Sequence, residues 1–116
     1  MGIATMEWEA GTLFELLGDE LARTIIALTS VESLSADALS DRCSSSRPTV
    51  YRRLDELQQY DLVAERTEYD ADGNHYKTYE CQLEQVCVDV DDGSFAVDLR
   101  LRRDVVDDVD GDEDDS

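Results

Sequence analysis

The 116-residue sequence contains one proline, one lysine, one histidine, one tryptophan and no long apolar run. Its longest uninterrupted apolar stretch is Ile25-Ile26-Ala27-Leu28, whereas a membrane-spanning helix needs about 20 such residues. A helical membrane protein is therefore not expected. The first residues, Met1-Gly2-Ile3-Ala4-Thr5-Met6-Glu7, lack both the basic start and the apolar centre of a signal peptide, so the expected compartment is the cytoplasm. Cysteine is sparse. Cys43, Cys81 and Cys87 are odd in number with no close pair, which argues against a disulfide framework; one pairing plus a free thiol stays open. Glycine-rich phosphate loops, zinc-ligand spacings and local Ser–His or Cys–His motifs are also missing. The expectation is no enzyme, no metal and no cofactor.

Positive charge is the other scarcity. Ten basic residues, all arginine except Lys77, face 29 acids, for a net charge of −19. Dense carboxylates, mostly Asp, with almost no lysine fit a halophilic cytoplasm, where repulsion is screened over about 3 Å at 1 M salt. The other reading is an ordinary acidic protein. Residues 104–116 hold eight acids and no base, and read as a disordered acidic tail. The remaining 103 residues still carry −11. Length indicates one domain, able to bury roughly two-thirds of its unfolded surface.

One window runs against this trend. Arg42 to Leu54 contains Arg42, Arg47, Arg52 and Arg53 and no acid. Nucleic-acid contact would explain such an island. The alternative is a helix whose arginines pair with nearby acids such as Asp37, Asp55 or Glu56.

Periodicity supplies the elements. Glu7 to Leu17 predicts an amphipathic helix, broken by Gly18. Asp19 can cap a second helix over about 20–28, and Ser35 a third over about 36–43. Ser44-Ser45-Ser46 is a turn. Ser46 then caps a fourth helix with Pro48 in its first turn, where a missing N–H costs nothing. Val50, Leu54 and Leu57 form its buried stripe, Pro48, Thr49, Arg52 and Asp55 face the other way, and it ends near Tyr60. The period then becomes two. Leu62–Tyr69 and His75–Leu83 predict a hairpin around Asp70–Asn74, with Tyr79, Cys81 and Leu83 on one face. A second hairpin turns at Asp92-Gly93. It sets Val90 against Phe95, Val88 against Val97 and Val86 against Leu99.

Two short helices joined by a three-residue polar turn, then a hairpin, give an α+β fold: a winged helix-turn-helix of three to four helices plus wing, with an additional C-terminal β-hairpin. The expected division is 1–18 N-terminal dimerisation helix, 19–83 DNA-binding domain, 84–103 extra hairpin and 104–116 tail. The basic island falls on the helix whose N-terminus would enter a major groove, where free N–H groups suit phosphate.

Leu17-Gly18-Asp19-Glu20, the run Ser46-Arg47-Pro48-Thr49-Val50-Tyr51-Arg52-Arg53-Leu54 within Leu39 to Leu57, Leu62-Val63, and the Tyr76/Tyr79 strand together resemble ArsR-type winged-helix transcriptional regulators. The likeness is to the small kind of halophilic archaea and covers about residues 19–83. It implies sequence-specific binding of double-stranded DNA as a homodimer. Carried over by position, Ser46, Arg47, Thr49, Tyr51 and Arg52 would face DNA, with Arg53 nearer the buried edge. On the wing, Arg66, Asn74, His75 and Lys77 would reach phosphate. Metal-sensing members carry a close cysteine pair on the preceding helix; here Cys43 stands alone. The second hairpin replaces the C-terminal helix with which many relatives dimerise. Trp8, Leu13, Phe14 and Leu17, with the extra sheet, are then the expected dimer surface.

Cys43 and Cys81 read as small buried apolar residues. Cys87, outward and opposite Asp98, is the candidate redox thiol, with nearby carboxylates blunting it. Two alternatives accompany DNA binding: a protein-binding winged-helix adaptor without DNA binding, and a thiol- or redox-responsive regulator through Cys87 or Cys43; the identity of any small-molecule or redox signal is not read from the residues. A DNA binder should keep Arg47, Arg52 and Lys77 on one open face, with Tyr51 and Pro48 adding apolar contact. An adaptor should pair its arginines with acids and expose an apolar patch.

Overall fold

A computed structural model describes residues 7–102, with side chains described from residue 11 onward. The acidic tail and the first six residues lie outside the described residues. The order is α1 (Glu7–Leu17), α2 (Glu20–Val31), α3 (Ala36–Cys43), α4 (Arg47–Gln59), β1 (Val63–Tyr69), β2 (His75–Cys81), β3 (Leu83–Asp91) and β4 (Ser94–Leu101). The fold is α+β, with two separate two-stranded antiparallel sheets, β1–β2 and β3–β4, among the described residues. No described helix is long and apolar enough to cross a membrane.

The helix starts follow side-chain chemistry. Asp19 accepts the Ala22 N–H at 2.9 Å, Ser35 the Ala38 N–H at 3.1 Å and Ser46 the Thr49 N–H at 3.3 Å. Each satisfies an N–H that has no partner within its own helix. The second helix runs three residues beyond the expected end, to Val31. Thr29 inside it is buried and donates its hydroxyl to the Ile25 carbonyl at 2.7 Å.

The stop of α4 is a Schellman motif. The Leu62 N–H bonds the Leu57 carbonyl at 2.9 Å, and the Asp61 N–H bonds the Gln58 carbonyl at 3.0 Å. Leu57 and Leu62 are both fully buried, which supplies the apolar contact this cap favours. Asp61 occupies the left-handed position, φ 61°, where glycine is the usual residue.

One core joins the helices to both sheets. Leu13, Ala22, Ile25, Leu39, Val50, Leu54, Leu57, Leu62, Tyr79 and Val97 are among its buried members. Between α2 and α3, Leu34 forms a single antiparallel bridge to Tyr79, with bonds of 3.1 and 2.8 Å. Gln82 joins the two hairpins. Its N–H donates to the Leu62 carbonyl at 2.8 Å, and its carbonyl accepts from the Arg102 N–H at 2.7 Å.

The β3–β4 register pairs Val90 with Phe95, Val88 with Val97 and Val86 with Leu99, as the alternation anticipates. Asp92 and Gly93 both take positive φ, 49° and 82°, as a primed two-residue turn requires. The pairing shifts between Leu83 and Gln85, leaving Glu84 as an extra residue. That bulge lets Leu83 and Val86, an odd three residues apart, both pack toward the core. Burial covers only the base of this face. Val97 is buried, but Val88, Val90 and Phe95 are 45%, 72% and 52% exposed.

Replacing Asp61 by glycine removes the left-handed strain on a side chain at the α4 stop. Asp61→Gly is expected to stabilise the fold by up to about 1 kcal/mol, read from denaturant unfolding; a loss of stability would contradict this cap.

Candidate nucleic-acid interface

The N-terminus of α4 is set by the residues before it. The Ser45 N–H bonds the Ser40 carbonyl at 3.2 Å, and the Ser40 hydroxyl donates to the Ser45 carbonyl. Ser44 takes the left-handed conformation, φ 54°. Together these turn the chain through Ser44–Ser46 and point the first turn of α4 outward. Ser46, Arg47 and Pro48 are exposed there and Thr49 is half-buried, while Val50 is fully buried behind them. The Ser46 hydroxyl also donates to Thr49 Oγ1 at 2.9 Å, so both side chains are held in place.

One turn further on, Tyr51 is 47% exposed and Arg52 is exposed. Among the described residues Arg52 makes no ion pair. Arg47 does: its Nε lies 2.7 Å from Asp37 Oδ1 on α3. Arg42 likewise meets Glu32 at 3.2 Å.

Arg53, expected among the DNA-facing residues, turns the other way. Its Nε lies 2.9 Å from Asp19 Oδ2 and its Nη1 3.4 Å from Glu56 Oε1. The stripe of Val50, Leu54 and Leu57 points α4 inward, and Arg53 sits at the edge of that stripe. It reaches the N-cap of α2 rather than solvent. The Arg53 guanidinium, followed by the Ala22 N–H, holds the Asp19 carboxyl below its ordinary value.

The β1–β2 hairpin lies beside this helix. Along one pleat face run Glu65, Thr67 and Tyr69, opposite Tyr79, Lys77 and His75. Lys77 pairs with Glu65 at 2.9 Å, which raises the lysine and lowers the carboxylate. The Tyr51 hydroxyl is close enough to act electrostatically on both Lys77 and Tyr79. Packing of α4 against β1 sets the helix beside the hairpin. Arg66 lies on the opposite pleat face, paired with Glu80, which also has Arg102 at 3.9 Å. His75 packs at a tilt against Tyr69 near the turn, with ring centroids 5.7 Å apart.

Ser46, Arg47, Thr49, Tyr51 and Arg52 thus lie on or before the first turns of α4, Lys77 and His75 lie on the hairpin whose β1 packs against that helix, and Arg53 and Arg66 are held by Asp19 and Glu80. Sequence reasoning missed Tyr69 and Tyr76, which are 70% and 47% exposed at the hairpin end. Their place in a strand flanking a polar turn was the available signal. It also missed Glu65 and Glu80 as partners of the hairpin cations. Diagonal cross-strand placement was the clue, visible once the register is known.

The expected dimer surface is reduced. Leu13 is buried in the chain's own core and is not open to a second copy. Leu13 and Leu16 are the inward residues of α1, because that side packs on α2 and β4. Phe14 and Leu17 remain half-buried, and Phe14 rests against Phe95 with centroids 5.5 Å apart. The side chain of Trp8 lies outside the described residues.

The thiols are dispersed. Cys81 is buried and its Sγ donates to the Leu83 carbonyl at 3.4 Å. Burial raises both Cys43 and Cys81, which suppresses their thiolates. Cys87 is half-buried and pairs with Asp98 across the second hairpin.

Compared with protein-family models and with curated proteins, the chain matches none.

The Arg53–Asp19 pair gives a pH signature. A carboxylate whose folded value is depressed adds stability above its ordinary value, 3.8, and loses it as pH falls through the lower folded value. Asp19→Asn is therefore expected to flatten the fall in melting temperature below about pH 4, as well as lowering it at neutral pH. An unchanged acid limb would contradict the pairing.

Proposed function

We propose that this chain is a DNA-binding transcriptional regulator built as a winged helix-turn-helix of the ArsR type. In this proposal α3, the Ser44–Ser46 turn and α4 form the helix-turn-helix, and β1–β2 is the wing. Leu34, bridged to Tyr79, ties this wing to the helices. The observation that carries it is the exposed, capped N-terminus of a helix packed against β1 of the Lys77 hairpin, with Arg52 exposed and making no ion pair among the described residues. Duplex DNA would receive α4 in its major groove and the hairpin near the adjacent backbone or minor groove.

Each residue then has a chemical task. Arg52 reads a guanine edge or holds a phosphate. Ser46, Thr49 and the Arg47 backbone N–H bind phosphate oxygens. Tyr51 offers apolar contact to a thymine methyl or a sugar, of a kind that survives high salt. Homodimerisation, the second part of the proposal, would use Phe14 and Leu17 of α1 with the exposed strip Val88, Val90 and Phe95.

A second reading, a winged-helix adaptor for protein partners, has its own support. Arg47 and Lys77 each hold a carboxylate, and the β3–β4 end exposes an apolar strip. Arg52 and the outward α4 N-terminus favour DNA, since an adaptor needs neither.

Arg52→Ala is expected to weaken binding to a duplex selected from randomised DNA by about 1–3 kcal/mol, with the melting temperature unchanged. Fluorescence anisotropy measures the first and calorimetry the second. Normal affinity in the mutant would remove α4 from the interface.

A further inference from the structure

The cations of this surface differ from an ordinary DNA-binding set, because most already hold a carboxylate. Arg47 Nε is 2.7 Å from Asp37, Lys77 Nζ is 2.9 Å from Glu65, and Arg66 is paired with Glu80. Exposure sorts these pairs. The Arg47 and Asp37 side chains are 64% and 65% exposed, and Lys77 is 63% exposed against a Glu65 at 35%. Pairs so open to water are weak and exchangeable. Glu80 is more enclosed and keeps Arg102 as a second partner. Arg53 with Asp19 is half-buried and tied to a helix cap.

We propose that Asp37 and Glu65 are built-in counterions, so that this surface binds duplex DNA by trading a carboxylate for a phosphate. The idea rests on the DNA-binding proposal and specifies how salt regulates that site. On an ordinary surface each neutralised phosphate releases about 0.9 of a cation, which makes affinity fall steeply with salt. Here a phosphate oxygen takes the N–H donors of Arg47 or the ammonium of Lys77 from its carboxylate. The phosphate loses its condensed cation. The freed Asp37 or Glu65 stands beside DNA and acquires a cation in its place. Ion release and uptake nearly cancel at these two contacts, and only Arg52 releases cations in the usual way. The net charge of −19 makes uptake by a bared carboxylate more favourable still. Such a surface keeps its affinity in a concentrated electrolyte.

The test uses the full chain and the duplex recovered by selection from randomised DNA at about 2 M KCl, with affinity followed from about 0.2 to about 2 M KCl. The double variant Asp37→Asn/Glu65→Gln should bind more tightly at low salt. Its log K against log[KCl] should be steeper than the unmodified chain's by about two. Asp37→Asn alone, on the more exposed of the two carboxylates, should steepen it by about one. Glu84→Gln/Asp89→Asn makes the same charge change on the second hairpin and should leave the slope unaltered. Equal slopes in the unmodified chain and the double variant, or equal steepening in the second-hairpin control, would overturn the exchange while leaving DNA binding intact. Failure to recover any duplex would instead overturn the DNA-binding proposal on which it rests.

Discussion

A pair of backbone hydrogen bonds between Leu34 and Tyr79 ties the first hairpin to the helices. The candidate interface depends on that tie. An isolated two-stranded hairpin is marginal in water, and this one gains stability from what it packs against. Tyr79 and Cys81 are buried on the side that meets the helices, and Leu62 enters the same core through the α4 cap. With both its ends fixed, the hairpin sets Lys77 near Tyr51. Two elements separated in sequence are held side by side in part because a single residue between α2 and α3 pairs as a strand would.

Electrostatics then divides the arginine island by depth. Arg53 enters the groove between α4 and the start of α2, where Asp19 serves at once as helix cap and as ion-pair partner. Breaking a half-buried pair of this kind leaves a charge with poor solvation, so it acts as structure. Arg47 and Lys77 lie in water, where their pairs add little to stability and can be redirected. Arg52 is unpaired. One cluster of like residues therefore serves both the fold and the surface, and solvation decides which member does which.

Much of this was legible in the residues. The caps at Asp19, Ser35 and Ser46, the stripe Val50–Leu54–Leu57 and the Val/Phe register of the second hairpin all follow from local chemistry and period. Asp37 and Glu56 could be named as partners of the arginines because they are near in sequence. What escaped was non-local. Nothing in the chain near Asp19 announces Arg53, and the Leu34 bridge is one residue long. The bulge at Glu84 reconciles two apolar positions of opposite parity that a simple alternation cannot place together. Leu13 was expected on a partner surface because apolar residues on both sides of α1 look alike in sequence; only packing shows which side the core takes.

The central claim is that DNA meets the start of α4 and the adjoining hairpin. Backbone amide chemical-shift mapping of the full chain, titrated with its selected duplex in concentrated KCl, tests it most directly. The expected result is perturbation concentrated at Ser46–Arg52 and along the hairpin from Thr67 to Lys77, with α2 and the β3–β4 turn little changed. Perturbation confined to β3–β4, or none at saturating duplex, would contradict it.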